Sequence, residues 1–219
     1  MINKIVEVGF PTYWAEFRLM AFEGFDLRNQ RKNPETLLAL VLGDLQGTLP
    51  IVRIHSQCTT GDVFHSLRCD CHDQLHLALE SIASHGSGAI VYEHQEGRGI
   101  GLIDKLRAYE LQDGGLDTIE ANLELGHPVD LRDYVLPVEV LRALGIRSVQ
   151  LLTNNPEKIA AVRAGGIRIV KRLSADVPHN PHSARYLSTK RVKLGHLSDA
   201  ASDVHETIAH QMRRRNRAK

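Results

Sequence analysis

The sequence predicts a mixed α/β fold in a single domain, with a β-rich N-terminal part followed by alternating β and α units. Residues 1–54 hold short apolar runs broken by Gly, Pro and Asn, which is typical of strands joined by turns. From about residue 72, apolar residues at helical spacing alternate with short apolar runs. Strands that alternate with helices indicate a sheet that is at least partly parallel. A chain of 219 residues is long enough to bury a hydrophobic core.

Four apolar segments supply the N-terminal strands, and we expect these strands to pair in antiparallel fashion. Their sequences are KIVEVGF, FRLMAF, LLALVLGD and LPIVRIH. The polar segment LRNQRKNPET, residues 27–36, separates the second segment from the third and is predicted to be an exposed loop.

Two helices are predicted next, over residues 73–84 and roughly 100–112, with a short buried strand, GAIVY, between them. Each helix has apolar residues at the spacing of one helix face. These residues are Leu75, Leu79 and Ile82 in the first helix, and Leu102, Leu106 and Tyr109 in the second. Gly86 is positioned to end the first helix, and Gly114 and Gly115 the second.

The remaining units are a helix in VEVLRALG, a strand in SVQLL, a helix in NNPEKIAAVRAGG and a strand in IRIV. The third of these segments has a complete set of helix signals. Asn155 is suited to the N-cap, Pro156 to the first helical position and Gly165 to the stop. The basic segment after residue 197, ending in RRRNRAK, is predicted to be a flexible tail.

Composition excludes several classes of partner. The formal net charge is +1, so no global field attracts nucleic acid or a membrane surface, and an anion must be bound by a local cluster. No apolar run reaches the ~18 residues of a membrane span, and MINKIVEVGFPTYW lacks the apolar core of a signal peptide. We therefore expect a cytoplasmic protein with reduced thiols and with neither nucleic acid nor membrane as partner.

All three cysteines lie within fourteen residues, as Cys58, Cys69 and Cys71. Three cysteines cannot all pair within one chain, which leaves metal binding or catalysis as the reason for the cluster. Zinc accepts thiolate ligands, and a site with three protein ligands keeps a fourth position for water. A histidine could instead complete the site and make it structural. The candidates are His55, His65 and His72.

Several features around the cysteines suit an anionic ligand. Five basic residues fall in one window, and two strand-to-helix junctions, QEGRGIG and TNNPEK, can present backbone N–H groups at a helix start. Each junction alone is a weak signal, because a tight turn or a helix cap explains it equally well. The basic residues are Arg53, Arg68, Arg98, Lys105 and Arg107.

These motifs together resemble the GTP cyclohydrolase II family, whose members open GTP at the start of riboflavin synthesis. The resemblance covers about residues 8–197. Its blocks are RIHSQCTTGD, SLRCDC, QEGRGIGL, KLRAYELQDGG, DTIEAN, DLRDY, LLTNNPEKI and YLSTKRVKLGHL. The Cys-x10-Cys-x-Cys spacing followed by QEGRGIGL and LLTNNP is highly specific. The resemblance implies a catalytic domain over residues 1–197 and a tail over 198–219.

The resemblance also implies roles for individual residues. Cys58, Cys69 and Cys71 match the ligands of one Zn²⁺ per chain, and Asp130 and Arg132 match a proton acceptor and a nucleophile. Tyr109 matches a tyrosine implicated in ring opening and deformylation. The positions that match GTP-contacting residues are Arg53, Ile54, His55, Ser56, Gln57, Gln74, Glu96, Gly97, Arg98, Thr118, Thr153 and Lys158.

The implied reaction opens the imidazole ring of GTP in two hydrolyses at one carbon, releases formate and pyrophosphate, and leaves a diaminopyrimidine ribosyl phosphate. Mg²⁺ is expected on the triphosphate, and the chain is expected to form a homodimer. A guanidinium is a poor nucleophile because it stays protonated, so Arg132 could instead clamp a phosphate.

Four positions depart from the family pattern, namely Gln57, His72, His94 and His127. They leave two alternatives open. One is a divergent member that stops at the formamide or acts in another pathway. The other is a zinc-containing nucleotide-binding module without turnover. The sequence shows no sign of the synthase domain that some relatives carry in front, so we expect the monofunctional form.

Overall fold

The computed structural model describes residues 2–25, 34–178, 182–183 and 195–197. Within these residues, seven strands make up the β structure. They are β1 (Ile2–Pro11), β2 (Glu16–Gly24), β3 (Glu35–Leu42), β4 (Ile51–Ser56), β5 (Gly88–Glu93), β6 (Ser148–Leu152) and β7 (Arg168–Leu173). Six α-helices accompany them in the same described ranges. They are α1 (Thr59–Asp62), α2 (Cys71–His85), α3 (Leu102–Asp113), α4 (Thr118–Glu124), α5 (Val135–Ala143) and α6 (Pro156–Ala164), with a 3₁₀ turn at Glu96–Gly99.

All seven strands form one sheet in the order β1-β2-β3-β5-β4-β6-β7. The pairs β1–β2, β2–β3 and β3–β5 are antiparallel, whereas β4 pairs in parallel with β5 and β6, and β6 with β7. The mixed α/β fold is therefore confirmed, and β1, β2 and β3 pair in antiparallel fashion as expected. The expectation is wrong for the fourth N-terminal strand, because β4 is inserted between β5 and β6 and pairs with both in parallel.

Helices cover both faces of the sheet. Helices α5 and α6 pack on one face, where Val52 and Ile54 of β4 join the larger core. Helix α2 packs on the other face through Ala78, Leu79 and Ile82. Because successive residues of a strand point to opposite faces, Arg53 and His55 of β4 face the α2 side. This alternation places two polar side chains under the site described below.

The signals for two helices are confirmed in detail. Gly86 adopts a left-handed conformation, with φ of 82°, at the end of α2, and its N–H is bonded to the carbonyl of Ile82. At the start of α6, the side chain of Asn155 accepts a hydrogen bond from the N–H of Glu157, and Pro156 is the first helical residue. Glycine fits the left-handed position because it has no Cβ atom, and asparagine fits the N-cap because its side-chain oxygen accepts from a backbone N–H.

One helix buries a different face from the one predicted. Leu102 and Leu106 of α3 are 36% and 43% exposed, while Lys105 and Ala108 are buried. The apolar spacing therefore located the helix but mistook its buried side, because Lys105 is satisfied by partners in the site. The helix in VEVLRALG begins earlier than predicted, at Val135, and helix α4 was not predicted.

The predicted loop at 27–36 ends inside β3, and its residues 27–33 lie outside the described residues. The tail predicted for 198–219 also lies outside them, as does most of YLSTKRVKLGHL. Within the part of the chain that is described, no helix is long and apolar enough to cross a bilayer.

Leu141 on α5 provides a test of the larger core, since it is fully buried. We expect Leu141→Ala to lower the free energy of unfolding by about 2–5 kcal/mol, because lost burial and a cavity add. Leu106→Ala on α3 is the matched control and should change it by less than about 0.5 kcal/mol, since Leu106 is half exposed. Urea unfolding measures both. Equal losses would contradict the burial assigned to α3.

Candidate active site

The predicted site residues gather where three neighbouring strands end. Strands β5, β4 and β6 are adjacent and parallel, so their carboxyl ends meet at one edge of the sheet. The segments after Ser56, Glu93 and Leu152 therefore converge. The edge beyond the carboxyl ends of parallel strands is the usual ligand site of such sheets.

The three cysteines come together at this edge. Cys58 follows β4 directly, while Cys69 precedes α2 and Cys71 is its first residue. Their sulfurs all lie within 4.8 Å of one another, and the Sγ atoms of Cys58 and Cys69 are 3.6 Å apart. Zinc with tetrahedral bonds of about 2.3 Å to sulfur separates two sulfurs by about 3.8 Å. The thiol set therefore fits a zinc ion.

The surroundings of Cys58 favour its thiolate. Hydrogen bonds to Cys69 and Cys71 are the largest causes that hold the pKa of Cys58 far below its ordinary value, and Lys105 adds to them. The pKa of Cys69 is raised to about 11, chiefly because of its hydrogen bond with Cys58. One thiolate with two thiols is a state from which a metal can displace the remaining protons.

Asp62 holds the cysteine loop in place. Its carboxylate accepts hydrogen bonds from the backbone N–H of Cys58 at 2.9 Å and from the hydroxyl of Tyr92 at 2.9 Å. The Nε2 atom of His55 lies 3.2 Å from the same carboxylate, and Nδ1 of His55 lies 3.1 Å from Nε of Arg53. Since Arg53 can only donate, Nδ1 accepts and Nε2 carries the proton.

None of the histidines considered as a fourth ligand joins the thiol cluster among the described residues. Both nitrogens of His55 are engaged by Arg53 and Asp62. Burial lowers the pKa of His55 to about 4, so its ring is neutral. His72 stacks between His65 and His76, with ring centroids 3.8 and 4.0 Å away. Three thiols without histidine leave one tetrahedral position for water.

Lys105 and Glu96 close the cluster from the side of α3. The Nζ atom of Lys105 donates to the sulfur of Cys58 at 3.1 Å and to Oε1 of Glu96 at 2.7 Å. The other oxygen of Glu96 accepts from the backbone N–H of Thr59 at 2.6 Å. Glu96 thereby connects the 3₁₀ turn after β5 to the residue that follows Cys58.

Asp130 and Arg132 form a close, mostly buried pair. The guanidinium of Arg132 donates to both carboxylate oxygens, from Nε at 2.9 Å and Nη2 at 2.5 Å. Burial opposes the charged forms, but these bonds keep the pKa of Asp130 below and that of Arg132 above the ordinary value. The third nitrogen of the guanidinium, Nη1, donates to the hydroxyl of Ser56 at 3.4 Å. Arg132 is therefore a cation directed into the site.

Lys158 and Glu93 lie beneath Ser56. Lys158 Nζ donates to the carbonyl of Ile54 at 2.9 Å and to the Ser56 hydroxyl at 3.2 Å. Ser56 in turn donates to Glu93 at 2.5 Å. Burial lowers the pKa of Lys158 to about 7, with Arg132 and Arg53 adding repulsion that Glu93 only partly offsets. Burial has the opposite effect on an acid and raises the pKa of Glu93.

Nearly all the predicted site residues line two adjoining pockets. The first is centred on the cysteines and also takes in Gln57, Glu96, Gly97, Tyr109 and Thr118. The second lies over the sheet edge and takes in Arg53, His55, Gln74, Thr153 and Lys158. The pockets share Ser56, Cys71, Arg98 and Arg132. One side of the site is thus rich in thiols and the other in cations.

Two predicted residues do not line these pockets. The side chain of Ile54 packs in the larger core, and only its backbone faces the site, where its carbonyl accepts from Lys158. Asp130 reaches the site through Arg132. Of the predicted basic cluster, Arg107 pairs with Asp104 at the surface, and Arg68 lies over the ring of Tyr109 at 4.4 Å.

Tyr109 lies in the pocket with the three thiols and not in the core. Burial raises the pKa of Tyr109, while Lys105 and a hydrogen bond with Thr60 lower it. The departures at positions 57 and 94 contact each other, since Nδ1 of His94 lies 2.9 Å from Oε1 of Gln57. These two substitutions therefore form one local change beside Cys58.

Sequence reasoning missed the supporting residues of the site. Asp62 ends the block RIHSQCTTGD but had no role assigned to it, and Tyr92 and Glu93 lie in none of the blocks, so all three are recognised only by their contacts. Lys105 was noted in a basic window and begins the block KLRAYELQDGG, also without a role of its own. The one signal that the sequence offered for Lys105 was its place in a predicted helix that belongs to the same set of motifs as the cysteines.

The fold and site define an α/β protein with a cluster of three thiols that could hold a metal ion, beside a cationic pocket, at the carboxyl ends of parallel strands. A model of the family described as GTP cyclohydrolase II matches residues 3–174. The chain belongs to the GTP cyclohydrolase II family, and the resemblance drawn from its motifs is confirmed.

Relatives with two different lengths match this chain. GTP cyclohydrolase-2 of Neisseria meningitidis serogroup C is 48% identical over 198 residues, which are 90% of this chain and 97% of the relative. The riboflavin biosynthesis protein RibBA of Chlorobium phaeovibrioides is 49% identical over 199 residues, and the chain spans about half, 47%, of that protein. A solved structure of RibBX, a two-domain 3,4-dihydroxy-2-butanone 4-phosphate synthase from A. baumannii, is 16% identical, covers 78% of this chain and 40% of that one, and has a TM-score of 0.43.

Gly61 tests the thiol cluster directly. A Cβ atom on Gly61 would lie 2.8 Å from the sulfur of Cys69 and 3.1 Å from that of Cys58. We expect Gly61→Ala to destabilise the metal-loaded protein by about 1–3 kcal/mol, as overpacking does, and to lower its zinc content. Gly9→Ala is the control, because its Cβ meets nothing closer than 3.9 Å. Zinc analysis and thermal unfolding measure both, and an unchanged zinc content would contradict this geometry.

Proposed function

We propose that the chain is a zinc-dependent hydrolase that opens the imidazole ring of GTP, releases formate and pyrophosphate, and yields 2,5-diamino-6-(5-phosphoribosylamino)pyrimidin-4(3H)-one. The observation that carries this proposal is the junction of a three-thiol cluster with a pocket lined by Arg53, Arg98, Arg132 and Lys158. The relative from Neisseria meningitidis, of which the match covers 97%, is named GTP cyclohydrolase-2, which agrees with the proposal.

The thiol side of the site suits the hydrolysis. Cys58, Cys69 and Cys71 would hold one Zn²⁺, which when bound supplies a Lewis acid that activates water near neutral pH. Tyr109 lines the same pocket, so its hydroxyl is positioned to hold or deliver a proton at the ring and formamide nitrogens. Gln57, Glu96, Gly97 and Thr118 surround this pocket and would orient the guanine and ribose.

The cationic side suits the triphosphate. The pocket joins three arginines and Lys158 with Thr153, His55 and Gln74, and cations placed where charge develops stabilise a leaving pyrophosphate. Mg²⁺ on the triphosphate is part of the proposal by analogy with other reactions of nucleotides. Ile54 would contribute through its backbone only, since its side chain is in the core.

We propose that Arg132 clamps a phosphate of the substrate and that Asp130 orients its guanidinium. A nucleophilic guanidinium must lose a proton, and the bonds from Asp130 raise the pKa of Arg132. The same bonds fix the planar group toward Ser56 and the shared part of the two pockets. Asp130 can still accept a proton if substrate binding displaces Arg132 from it.

The cytoplasmic location, the homodimer and the absence of nucleic-acid and membrane partners stay part of the proposal. Val6, Val8 and Phe10 on the edge strand β1 are 51%, 48% and 39% exposed, which gives a second copy apolar surface to pack against. The domain limits of 1–197 and 198–219 are likewise proposed on the extent of the motifs.

The product assay tests the activity. Zinc-loaded protein is mixed with GTP and Mg²⁺, the nucleotide products are identified by mass, and formate and pyrophosphate are counted separately. We expect equal amounts of both with loss of C8. Pyrophosphate without formate would favour the divergent member that stops at the formamide. If GTP binds but neither product forms, the result would contradict the proposed hydrolase activity and favour a binding module.

Removal of one thiol should abolish formate release and leave GTP binding. Cys69→Ser takes a ligand from the metal but leaves the cationic pocket intact, since Cys69 lines only the thiol side. Ser84→Ala on the exposed side of α2 is the control and should behave as the unchanged protein. Formate released by Cys69→Ser at an undiminished rate would exclude the metal from the hydrolysis.

Proton uptake should accompany GTP binding above pH 7. The pKa of Lys158 is about 7 in the free site, and a triphosphate beside it favours the ammonium form. Affinity should therefore fall as the pH rises through 7.5–9, by at most about tenfold per pH unit. Calorimetry on Cys69→Ser protein in buffers of different ionisation enthalpy measures the uptake.

The additional substitution Lys158→Met should remove that uptake, and Lys171→Met at an exposed position should not. Uptake of the same size in the Lys158→Met protein would mean that another group takes the proton.

A further inference from the structure

Lys105 is buried beside the thiol cluster and has no role in the function proposed above. Only 9% of the residue is exposed, although its ammonium is the most strongly hydrated kind of side-chain cation. Burial disfavours the ammonium, and this is offset by an ion pair with Glu96 at 2.7 Å and a hydrogen bond to the sulfur of Cys58 at 3.1 Å. A cation retained at this cost needs a partner that requires it.

Its contacts identify that partner as one metal ligand. Its ammonium donates one hydrogen bond to the sulfur of Cys58 at 3.1 Å and another to Glu96 at 2.7 Å. The carboxylate of Glu96 also accepts from the backbone N–H groups of Thr59 and Gly97, at 2.6 and 2.9 Å. Glu96 is thus held by backbone on one side and holds the ammonium against the sulfur on the other.

The charge of a three-thiolate site explains why this cation matters. Three thiolates give a divalent metal a net charge of −1, and each one donates electron density that makes the metal a weaker Lewis acid. A hydrogen bond from a cation to a thiolate withdraws density from the sulfur, and groups that bond to ligands commonly tune a metal in this way. Among the described cysteines, Cys58 is the one to which Lys105 donates.

We propose that Lys105 is a positioning residue of the metal centre, which orients the Cys58 thiolate and draws charge from it, so that the metal stays an effective Lewis acid. The inference rests on the proposed metal site. A merely structural reading is available, in which Lys105 and Glu96 form a buried ion pair that ties α3 to the turn after β5. The two readings differ in what happens at the sulfur.

Cobalt provides a readout at the sulfur that does not depend on GTP. Co²⁺ with thiolate ligands shows a sulfur-to-metal charge-transfer band, whose energy falls when the filled sulfur levels rise. We expect Lys105→Met to shift this band to longer wavelength and to lower zinc affinity, measured by competition with a chromogenic chelator, about 10–100-fold. Lys171→Met on β7 is the matched control, since it removes an exposed lysine far from the cysteines in sequence.

Two more variants separate charge from packing. Lys105→Arg keeps the cation and should stay close to the unchanged protein in band position. Lys105→Gln keeps a polar tip for Glu96 but loses the charge, so it should shift the band in the same direction as Lys105→Met. It also provides the comparison if the methionine is not tolerated by the fold.

The possible outcomes distinguish a failure of the role proposed for Lys105 from a failure of the proposed metal site. Bands that superimpose for the Lys105→Met or Lys105→Gln protein and the unchanged protein would overturn the role of Lys105, even if unfolding shows a loss of stability, and would favour the ion-pair reading. Absence of a charge-transfer band in the unchanged protein would overturn the metal site itself, and with it this inference. A shifted band with normal behaviour of Lys171→Met supports both.

Discussion

The parallel pairing of β4 with β5 and β6 is the constraint on which the rest of the structure depends. It brings three chain segments that are distant in sequence to one edge of the sheet. Each segment leaves its strand and turns there, which is where side chains from different segments can face a common ligand. Without this pairing the cysteine loop, the glycine-rich turn and the start of α6 would have no shared space.

The alternation of side chains along β4 decides how the edge is used. Ile54 points into the core under α5 and α6 and anchors the strand, while Arg53 and His55 point toward α2. Gln74 of α2 accepts from Arg53 at 2.6 Å, so the helix that carries Cys71 is tied to the strand that leads to Cys58. The candidate metal ligands are therefore positioned by the same hydrogen bonds that satisfy buried polar groups.

Charge is divided between the two halves of the site. Carboxylates and thiols dominate one half, where Asp62, Glu96 and the cysteines lie, and cations dominate the other. The buried lysines mark this division, since the pKa of Lys105 is raised beside Cys58 and that of Lys158 is lowered among arginines. Strongly shifted pKa values cluster at functional sites, where burial and neighbouring charges are arranged to produce them.

The sequence by itself determined the fold class and the family and singled out the three cysteines as a candidate metal site, because these depend on local patterns. Apolar spacing located α2 and α3, capping chemistry located α6, and the spacing of the cysteines suggested a common ligand. Only the tertiary structure decided which side of α3 is buried and what surrounds each ligand. Lys105 looks like a surface residue in the sequence, and its burial follows from its contacts with Glu96, nine residues away, and with Cys58, 47 residues away. Asp62 and Glu93 could not be found for a similar reason, since their hydrogen bonds with Tyr92 and Ser56 are long-range and leave no periodic signal in the sequence.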